Sequence, residues 1–555
     1  MNRSSSEPGT GGGSKTWWVL LALSLIIFLP FAGNGFLADD WDVLSHLVAG
    51  GPFGMWTHPP TSFFRPMVSS TLWLNSWAGP WHSWAYSIPS FVLNALNAGL
   101  VFLVSQALLR RNPEIEARTK RAISALAALI FLTAPSNVEA ILFISARGDL
   151  LAGFFVLASV LAFMAAVDRR RIPLTFASVG LLALGCFSKE STYAFFLFFA
   201  AVAFFERKDA GRAKIGWIAS GLGFLAVSAT AALRSRVVSS ELPYGTQSHL
   251  PVEAAKGVVR LAIMSVRPAF PVDFGILLGH SVPKLTALDW VIMIPVLVCA
   301  GTGTWCLARC TKGPTQRPSS AVPVAGFLVS GIAVCFLAIQ PFSPENGRLM
   351  YLPSAFAAIA LSFSAAPYLC RPAVRTAAVA FVACGALFIY LNGVLYRSAG
   401  DSCAASIRWF ATNRPSPSPA VILVPDSVGG RYIWRNGFPQ ALGAFAPSWA
   451  ASPYASTAYF LPAQVGRALN SPVVDVSAMK TGAFQRSRQM PSGKTIRGVE
   501  LVVVGIDGAV TVRNCADVVL PDLVPCARDG HVQISGLNGA ECIGSNVATI
   551  PRSSR

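Results

Sequence analysis

Asp39, Asp40 and Asp42 stand directly after an uncharged apolar run, Thr16 to Phe36, with Trp41 among them. A carboxylate at the junction of an apolar span and a polar interface can act as a general base. It would take a proton from an acceptor hydroxyl. Burial and a neighbouring carboxylate would raise one pKa and separate the roles of the pair. The same residues also suit a solvated helix end, or an N-cap for a following interfacial helix. Both readings stay open at this point.

Four more charged clusters follow. Phe63-Phe64-Arg65-Pro66 opens an amphipathic stretch with Trp73 and Trp77. Pro66 suits a first helical turn, and the tryptophans suit an interfacial helix. Arg65 either pairs with an acid of its own loop or contacts a phosphate. Asn137-Val138-Glu139-Ala140 and Ser145-Ala146-Arg147-Gly148-Asp149-Leu150 form the third cluster. There Arg147 and Asp149 either cap a helix or join a functional network. Phe187-Ser188-Lys189-Glu190-Ser191 is a tight turn whose charges are either solvated or functional. The last cluster runs from Pro344-Glu345 through Arg348 and Tyr351 to Pro353-Ser354.

The elements that must hold these clusters are apolar helices. The chain has 555 residues, 53% hydrophobic and 13% charged, with mean hydropathy +0.53. A disordered chain is excluded, and an ordinary soluble enzyme could not hide so much apolar surface. Apolar runs begin at Thr16, Ala85, Ala122, Leu150, Ile172, Thr192, Ile215, Leu288, Val322, Leu349 and Ala373. They predict an all-α polytopic membrane protein of about eleven spans, ten to twelve if one or two are re-entrant. The first run reads as a retained anchor. Residues 1–15 read as a disordered cytoplasmic tail. Residues 16–396 read as the transmembrane domain, with outside loops 34–84 and 234–286. Residues 397–555 read as a β-rich or α/β extracytoplasmic domain, with strands expected at Ala420–Val424, Val499–Val504 and Val518–Leu520.

Arg and Lys crowd alternate links, which predicts a cytoplasmic N-terminus and an outside C-terminal domain. The tail and cytoplasmic links hold 19 Lys or Arg against 6 Asp or Glu. The net +18 is therefore mostly a sidedness signal, and no nucleic-acid partner is needed to explain it. All five charged clusters fall on the expected outer side, which suggests one outward-facing site. Cys403, Cys515, Cys526 and Cys542 lie in the outside region, where one or two disulfides are expected. Walker, Gly-x-Ser-x-Gly and Cys/His metal motifs are absent from the sequence.

Taken in order, the clusters resemble the GT-C class of polytopic glycosyltransferases. The likeness is to the membrane part of the transmembrane and TPR-repeat O-mannosyltransferases and their bacterial relatives. Asp39-Asp40 resembles that family's acidic pair after the first span, and Phe64-Arg65-Pro66 its aromatic-Arg-Pro motif. Val138-Glu139-Ala140 and Ala146-Arg147-Gly148-Asp149-Leu150 resemble its Glu-Ala and Gly-Arg-Ala-Asp-Leu block. Ser188-Lys189-Glu190 matches its Ser-Lys-Glu turn. Glu345 to Ser354 resembles its Glu-Arg-x-x-Tyr-x-Pro-Ser motif, with an insertion before Arg348. The likeness covers roughly residues 16–365. Pro135-Ser136-Asn137 stands where the family has a His, and the TPR repeats are missing.

The resemblance implies a bacterial cytoplasmic (inner) membrane protein acting at the outer face. Its partners would be the lipid bilayer, a polyprenyl-phosphate-linked sugar donor, and a protein, lipid or glycan acceptor. Asp39, or else Asp40, would be the base of an inverting transfer. Arg65, Lys189 and Arg348 would contact the donor phosphate. Glu139, Arg147, Asp149, Glu190, Glu345 and Tyr351 would serve the acceptor or the charge network. A divalent metal would find hard oxygen ligands in Asp39, Asp40, Asp149 and Glu345. Competing readings are a transporter or flippase of lipid-linked sugars, a polysaccharide polymerase or ligase, and an inactive scaffold.

Overall fold

Long uncharged runs must satisfy their own backbone polar groups in lipid, and helices do so within each segment. The computed structural model is mostly helical. It describes residues 11–57, 63–113, 115–238, 321–335, 344–413, 415, 420–425, 427–428, 431–434, 437–450, 455–460, 473–475, 484–485, 495–504, 507–519, 523–525 and 532–534. The run expected at 288–308, the loop 239–286, and Cys526 and Cys542 lie outside these residues.

The chain forms two compact units. The first comprises Met1–Asn34 and His46–Tyr396, the second Gly35–Ser45 and Arg397–Arg555. The segment carrying Asp39 and Asp40, read from sequence as part of a transmembrane-domain loop, thus belongs to the second unit.

The helices are α1 (Gly11–Phe28), α2 (Asp39–Thr57), α3 (Pro66–Ser76), α4 (Ser83–Arg110), α5 (Ala117–Leu132) and α6 (Val138–Leu142). Then come α7 (Arg147–Arg169), α8 (Ile172–Cys186), α9 (Phe196–Phe205), α10 (Ala210–Val237), α11 (Ala321–Cys335), α12 (Tyr351–Ala365) and α13 (Pro372–Thr412). Among the described residues, five helical stretches are long and apolar enough to cross a membrane. They are Ser83–Arg110, Ile144–Arg169, Ala210–Val237, Gly347–Tyr368 and Pro372–Thr412. A sixth counts if the bent pair Ala117–Leu132 and Pro135–Leu142 is one span. Shorter apolar helices lie at Thr16–Phe31, Ile172–Cys186, Glu190–Phe205 and Val322–Gly331.

Small residues let these helices approach closely, as membrane packing favours. A Cβ at Gly216 would stand 2.6 Å from the Cβ of Ala203, so α10 lies directly on α9. Helices α7 and α8 are tied by a reciprocal serine pair. Ser159 Oγ donates to Ser178 O at 2.7 Å, and Ser178 Oγ to Ser159 O at 2.9 Å. The connection between them is tight because Arg170 adopts a left-handed conformation (φ 53°) as the α7 C-cap. After α5 the chain bends by 50° at Pro135, which cannot continue a helix without losing a backbone bond. The bend delivers Asn137 and Glu139 to the same end as the start of α7.

The second unit is built on a six-stranded mixed sheet in the order β5-β8-β7-β1-β4-β6. Its strands are β1 (Ala420–Pro425), β4 (Ala455–Phe460), β5 (Val473–Asp475), β6 (Phe484–Gln485), β7 (Thr495–Val504) and β8 (Val510–Val519). β1 is central and pairs in parallel with both β4 and β7. β7 and β8 form an antiparallel hairpin, turned at Gly508 (φ 81°) with Ala509 N donating to Asp507 Oδ1 at 3.0 Å. The short pairs β2 (Ser427–Val428) with β3 (Arg431–Tyr432), and β9 (Leu523–Pro525) with β10 (Val532–Ile534), lie apart from this sheet. An aromatic core of Phe410, Trp434, Phe438 and Trp449 packs the last turns of α13 against α14 (Phe438–Phe445) and α15 (Pro447–Ala450). Cys403 is a buried free thiol here, so it takes no part in the disulfides expected of this region.

Candidate functional site

Within the first unit, four sequence-distant clusters meet at one end of the helices. Arg65 is the N-cap residue of α3, and Pro66 occupies the first turn. The Arg65 guanidinium lies over the Phe63 ring, 4.2 Å from its centroid. Nη2 and Nε both donate to Glu190 Oε2, at 2.7 and 3.1 Å. Arg65 therefore pairs with an acid of the Ser-Lys-Glu turn, across from its own loop. Burial pushes the Glu190 pKa up, but the charge and hydrogen bonds of Arg65 outweigh it. The carboxyl is held below its ordinary value.

Lys189 and Asp149 form a salt bridge with both side chains almost fully buried. The reading of a merely solvated turn is thereby corrected. The turn is buried because α8 ends against the start of α7. A Cβ at Gly148 would stand 2.9 Å from Ser188 O and 3.3 Å from Val68 Cγ2, so the Arg-Gly-Asp step must be glycine at its centre. Met67 N donates to Phe187 O at 3.3 Å, which joins α3 to the same turn.

The capping reading of Arg147 and Asp149 is likewise replaced. No side chain caps α7, whose N-cap residue is Ala146. Arg147 is fully buried and donates to Asn75 Oδ1, to Tyr86 O and, at 3.3 Å, to Ser90 Oγ. It clamps α3 and α4 onto α7. Asp149 turns to Lys189 with one oxygen. Its other oxygen is buried without a hydrogen-bond partner among the described residues, as is Oε1 of Glu190.

The last cluster joins the same end through α6. Glu139 is buried; its Oε2 accepts from Arg348 N at 3.1 Å, and its Oε1 lies 3.5 Å from Arg348 Nε. Gly347 permits the approach, since a Cβ there would stand 2.9 Å from Ser136 O. Arg348 is a quarter exposed and lies 5.4 Å from the Phe143 ring centroid. Glu345 belongs to the turn Pro344–Met350, and its side chain lies outside the described residues. Tyr351 is buried. Its hydroxyl donates to Asn94 Oδ1 at 2.8 Å and accepts from Asn97 Nδ2 at 2.9 Å. Asn97 Nδ2 also donates to Leu150 O at 2.9 Å, so the tyrosine is linked to the start of α7. Ser354 Oγ donates to Asn137 Oδ1 at 2.9 Å.

The end thus gathers four cations (Arg65, Arg147, Lys189, Arg348) and three carboxylates (Glu139, Asp149, Glu190), most of them buried. Such an assembly can hold an anion against compensated positive charge without a large unpaired charge in the apo state. Sequence reasoning missed Asn75, Asn94 and Asn97. Asn94 and Asn97 carried a usable signal: two amides three apart share one helix face, inside an uncharged run.

Asp39 and Asp40 lie in the second unit, in the first turn of α2. Asp40 is buried, and its Oδ2 accepts from Leu37 N at 3.1 Å. That bond reaches back to a residue before the helix and not to an amide of its first turn, and the burial of Asp40 rules out a solvated helix end. Asp39 is half-buried. Among the described residues no group of three or more His, Cys, Asp or Glu is placed to hold a metal ion. Asp149, one of the expected oxygen ligands, already faces Lys189. No protein-family model matches the chain, and no curated protein matches it.

Proposed function

We propose that this protein is a GT-C-type membrane glycosyltransferase with about eleven spans and a cytoplasmic N-terminus. It moves a sugar from a polyprenyl-phosphate donor to an acceptor hydroxyl at the outer face of the membrane. One observation carries the reading. Four motifs of the resemblance, spread from Arg65 to Tyr351, meet at one end of apolar helices and pair basic groups with carboxylates there. Helix packing alone has no need of them, because buried ion pairs are rarely worth more than apolar replacements.

In the mechanism, Asp39 takes the proton of the acceptor hydroxyl. Its half-buried position suits it to this better than Asp40, which is occupied by the Leu37 amide. The acceptor oxygen attacks the anomeric carbon from the face opposite the phosphate. The bond from that carbon to the phosphate oxygen breaks, and polyprenyl phosphate leaves with the electron pair. The anomeric configuration inverts. Positive groups set where this charge develops lower the barrier most. Arg65 and Arg348 are the better exposed cations and contact the phosphate. Lys189, buried against Asp149, supports the turn behind Arg65. Glu139 and Glu190 keep the two arginines oriented, and Tyr351 links the start of α12 to that of α7.

The test uses membranes with and without the chain, given a labelled polyprenyl-phosphate sugar. The expected result is label transferred to a new product and free polyprenyl phosphate released, only where the chain is present. Label that crosses the membrane with its phosphate bond intact would favour a flippase instead. Equal turnover in both membranes would contradict the proposal.

A further inference from the structure

The second unit does more with the Asp39 segment than carry it. Residues Gly35–Ser45 belong to that unit with Arg397–Arg555, and Gly35, Ala38, Trp41 and Asp42 each meet it. Ala38 N donates to Ile433 O at 2.8 Å. Ala38 itself sits at φ 41°, a backbone conformation unusual for a residue with a Cβ. Gly437 presses on the same residue, where a Cβ would stand 2.1 Å from Ala38 O and 3.1 Å from Trp41 Cβ. Gly35, at φ 81°, faces the Gly400 backbone, which a Cβ there would meet at 3.4 Å. Beyond the two aspartates, Gln440 Nε2 donates to Asp42 Oδ1 at 3.0 Å. Trp41 stacks on Trp434 at 6.4 Å and meets Phe445 edge-on at 5.8 Å. The aspartates are thus gripped on both sides, at Ala38 and at Trp41-Asp42, by the stretch Ile433–Phe445.

From this grip we infer that Gln440 and Gly437 of the C-terminal unit are positioning residues for the Asp39 carboxylate. The inference rests on the glycosyltransferase reading and gives the C-terminal unit a part in it. The grip fixes the backbone on each side of Asp39, so the carboxylate's place is set from the C-terminal unit as well as by α2. Misplacing a catalytic group by about an ångström can cost on the order of a hundredfold in rate. Gln440 and Gly437 touch no reacting atom; they act through Asp42 and Ala38.

The test measures transfer kinetics of the full chain in membranes, from a labelled polyprenyl-phosphate sugar. Gln440→Leu keeps the side-chain size and removes the bond to Asp42. Gly437→Ala pushes directly on the Ala38 carbonyl. Each is expected to lower kcat by about ten- to a hundredfold while the KM for donor stays within about twofold of wild type. Val512→Ala, on an exposed position of β8, is expected to match wild type. In the Asp39→Asn background, Gln440→Leu is expected to cause no further loss, because the group it positions is already gone. Gln440 is half-buried, so its variant is the mild one and decides the matter even where Gly437→Ala fails to accumulate. Wild-type kcat in Gln440→Leu, or equal losses in Gln440→Leu and Val512→Ala, overturns the inference and leaves the transferase reading standing. Full activity in Asp39→Asn overturns both.

Discussion

The two ends of the helical unit both carry ion pairs, and they differ in how these are set. At the end where α7 begins, Asp149–Lys189 is sealed from solvent, and Glu139 is buried against Arg348. Glycines at 148 and 347 bring the backbones close enough to form these contacts. At the other end, Arg111 bridges Asp168 and Glu206, Arg212 reaches Glu206 and Asp209, and Arg170 pairs with Asp209. Three of those six side chains are exposed, Arg170 by 61%, while Glu206 is as buried as Glu139 and the rest are intermediate. Exposed pairs contribute little to stability and are screened by salt. Buried pairs carry a desolvation cost, so replacing both partners with apolar side chains is often neutral or stabilising, while removing one is costly. The contrast is sharpest at Asp149–Lys189, where both partners are nearly sealed from solvent.

The largest effect is expected at Lys189. Lys189→Met leaves Asp149 buried and uncompensated, and should destabilise the unit by about 3–5 kcal/mol. Replacing both partners with Leu should recover most of that loss. Thermal unfolding in detergent reads both; a single variant as stable as the double would contradict the buried-pair account. Next in size is Gly148→Ala, which forces a methyl against Ser188 O. Overpacking of this kind costs about 1–3 kcal/mol, and the loss should appear in the same assay. Tyr351→Phe removes the hydroxyl between Asn94 and Asn97 and leaves buried amide groups unmet, for about 1–3 kcal/mol. Transfer activity should fall with it, because the link from α12 to α7 is cut.

The smallest effects belong to the exposed end. Asp209 accepts from the backbone N–H groups of Gly211 and Arg212. The Arg212 amide, and then Arg170, hold its carboxyl below the ordinary value, against an opposing push from partial burial. A lowered folded pKa gives stability that is present above the unfolded pKa, near 3.9 for Asp. That stability is lost as pH falls through the lower folded value. Arg170→Ala should therefore shift the unfolding midpoint only slightly, and added salt should erase the shift. A shift as large as that of Lys189→Met would dissolve the contrast between the two ends.

Much of the Asp149 end was legible because charge inside or beside apolar runs is conspicuous. Arg65, Glu139, Arg147, Asp149, Lys189, Glu190 and Arg348 each stood out that way, and they come together in the first unit. Their partners were not legible. Nothing in the chain tells Arg65 to choose Glu190 over a nearer acid, since pairing across helices depends on which backbones glycine lets approach. Arg147 looked like a cap and is a clamp, because its partners lie on α3 and α4. The membership of the Asp39 segment in the C-terminal unit was also hidden. It rests on contacts from Ile433, Trp434, Gly437, Gln440 and Phe445, in a stretch whose apolar pattern says only that it is buried. The strand expectations at Ala420–Val424 and Val499–Val504 fell on β1 and β7, where β-branched runs mark strands whatever their neighbours.

The proposed role of Asp39 as the base of a sugar transfer is tested by paired conservative variants. Transfer from a labelled polyprenyl-phosphate sugar should be measured in membranes holding equal amounts of wild type, Asp39→Asn and Asp40→Asn. Loss of a general base typically costs about 10²–10⁴-fold in rate. Asp39→Asn should show a loss of that size, and Asp40→Asn a smaller one that follows from weakening the Leu37 contact. Wild-type transfer by both variants would contradict the account.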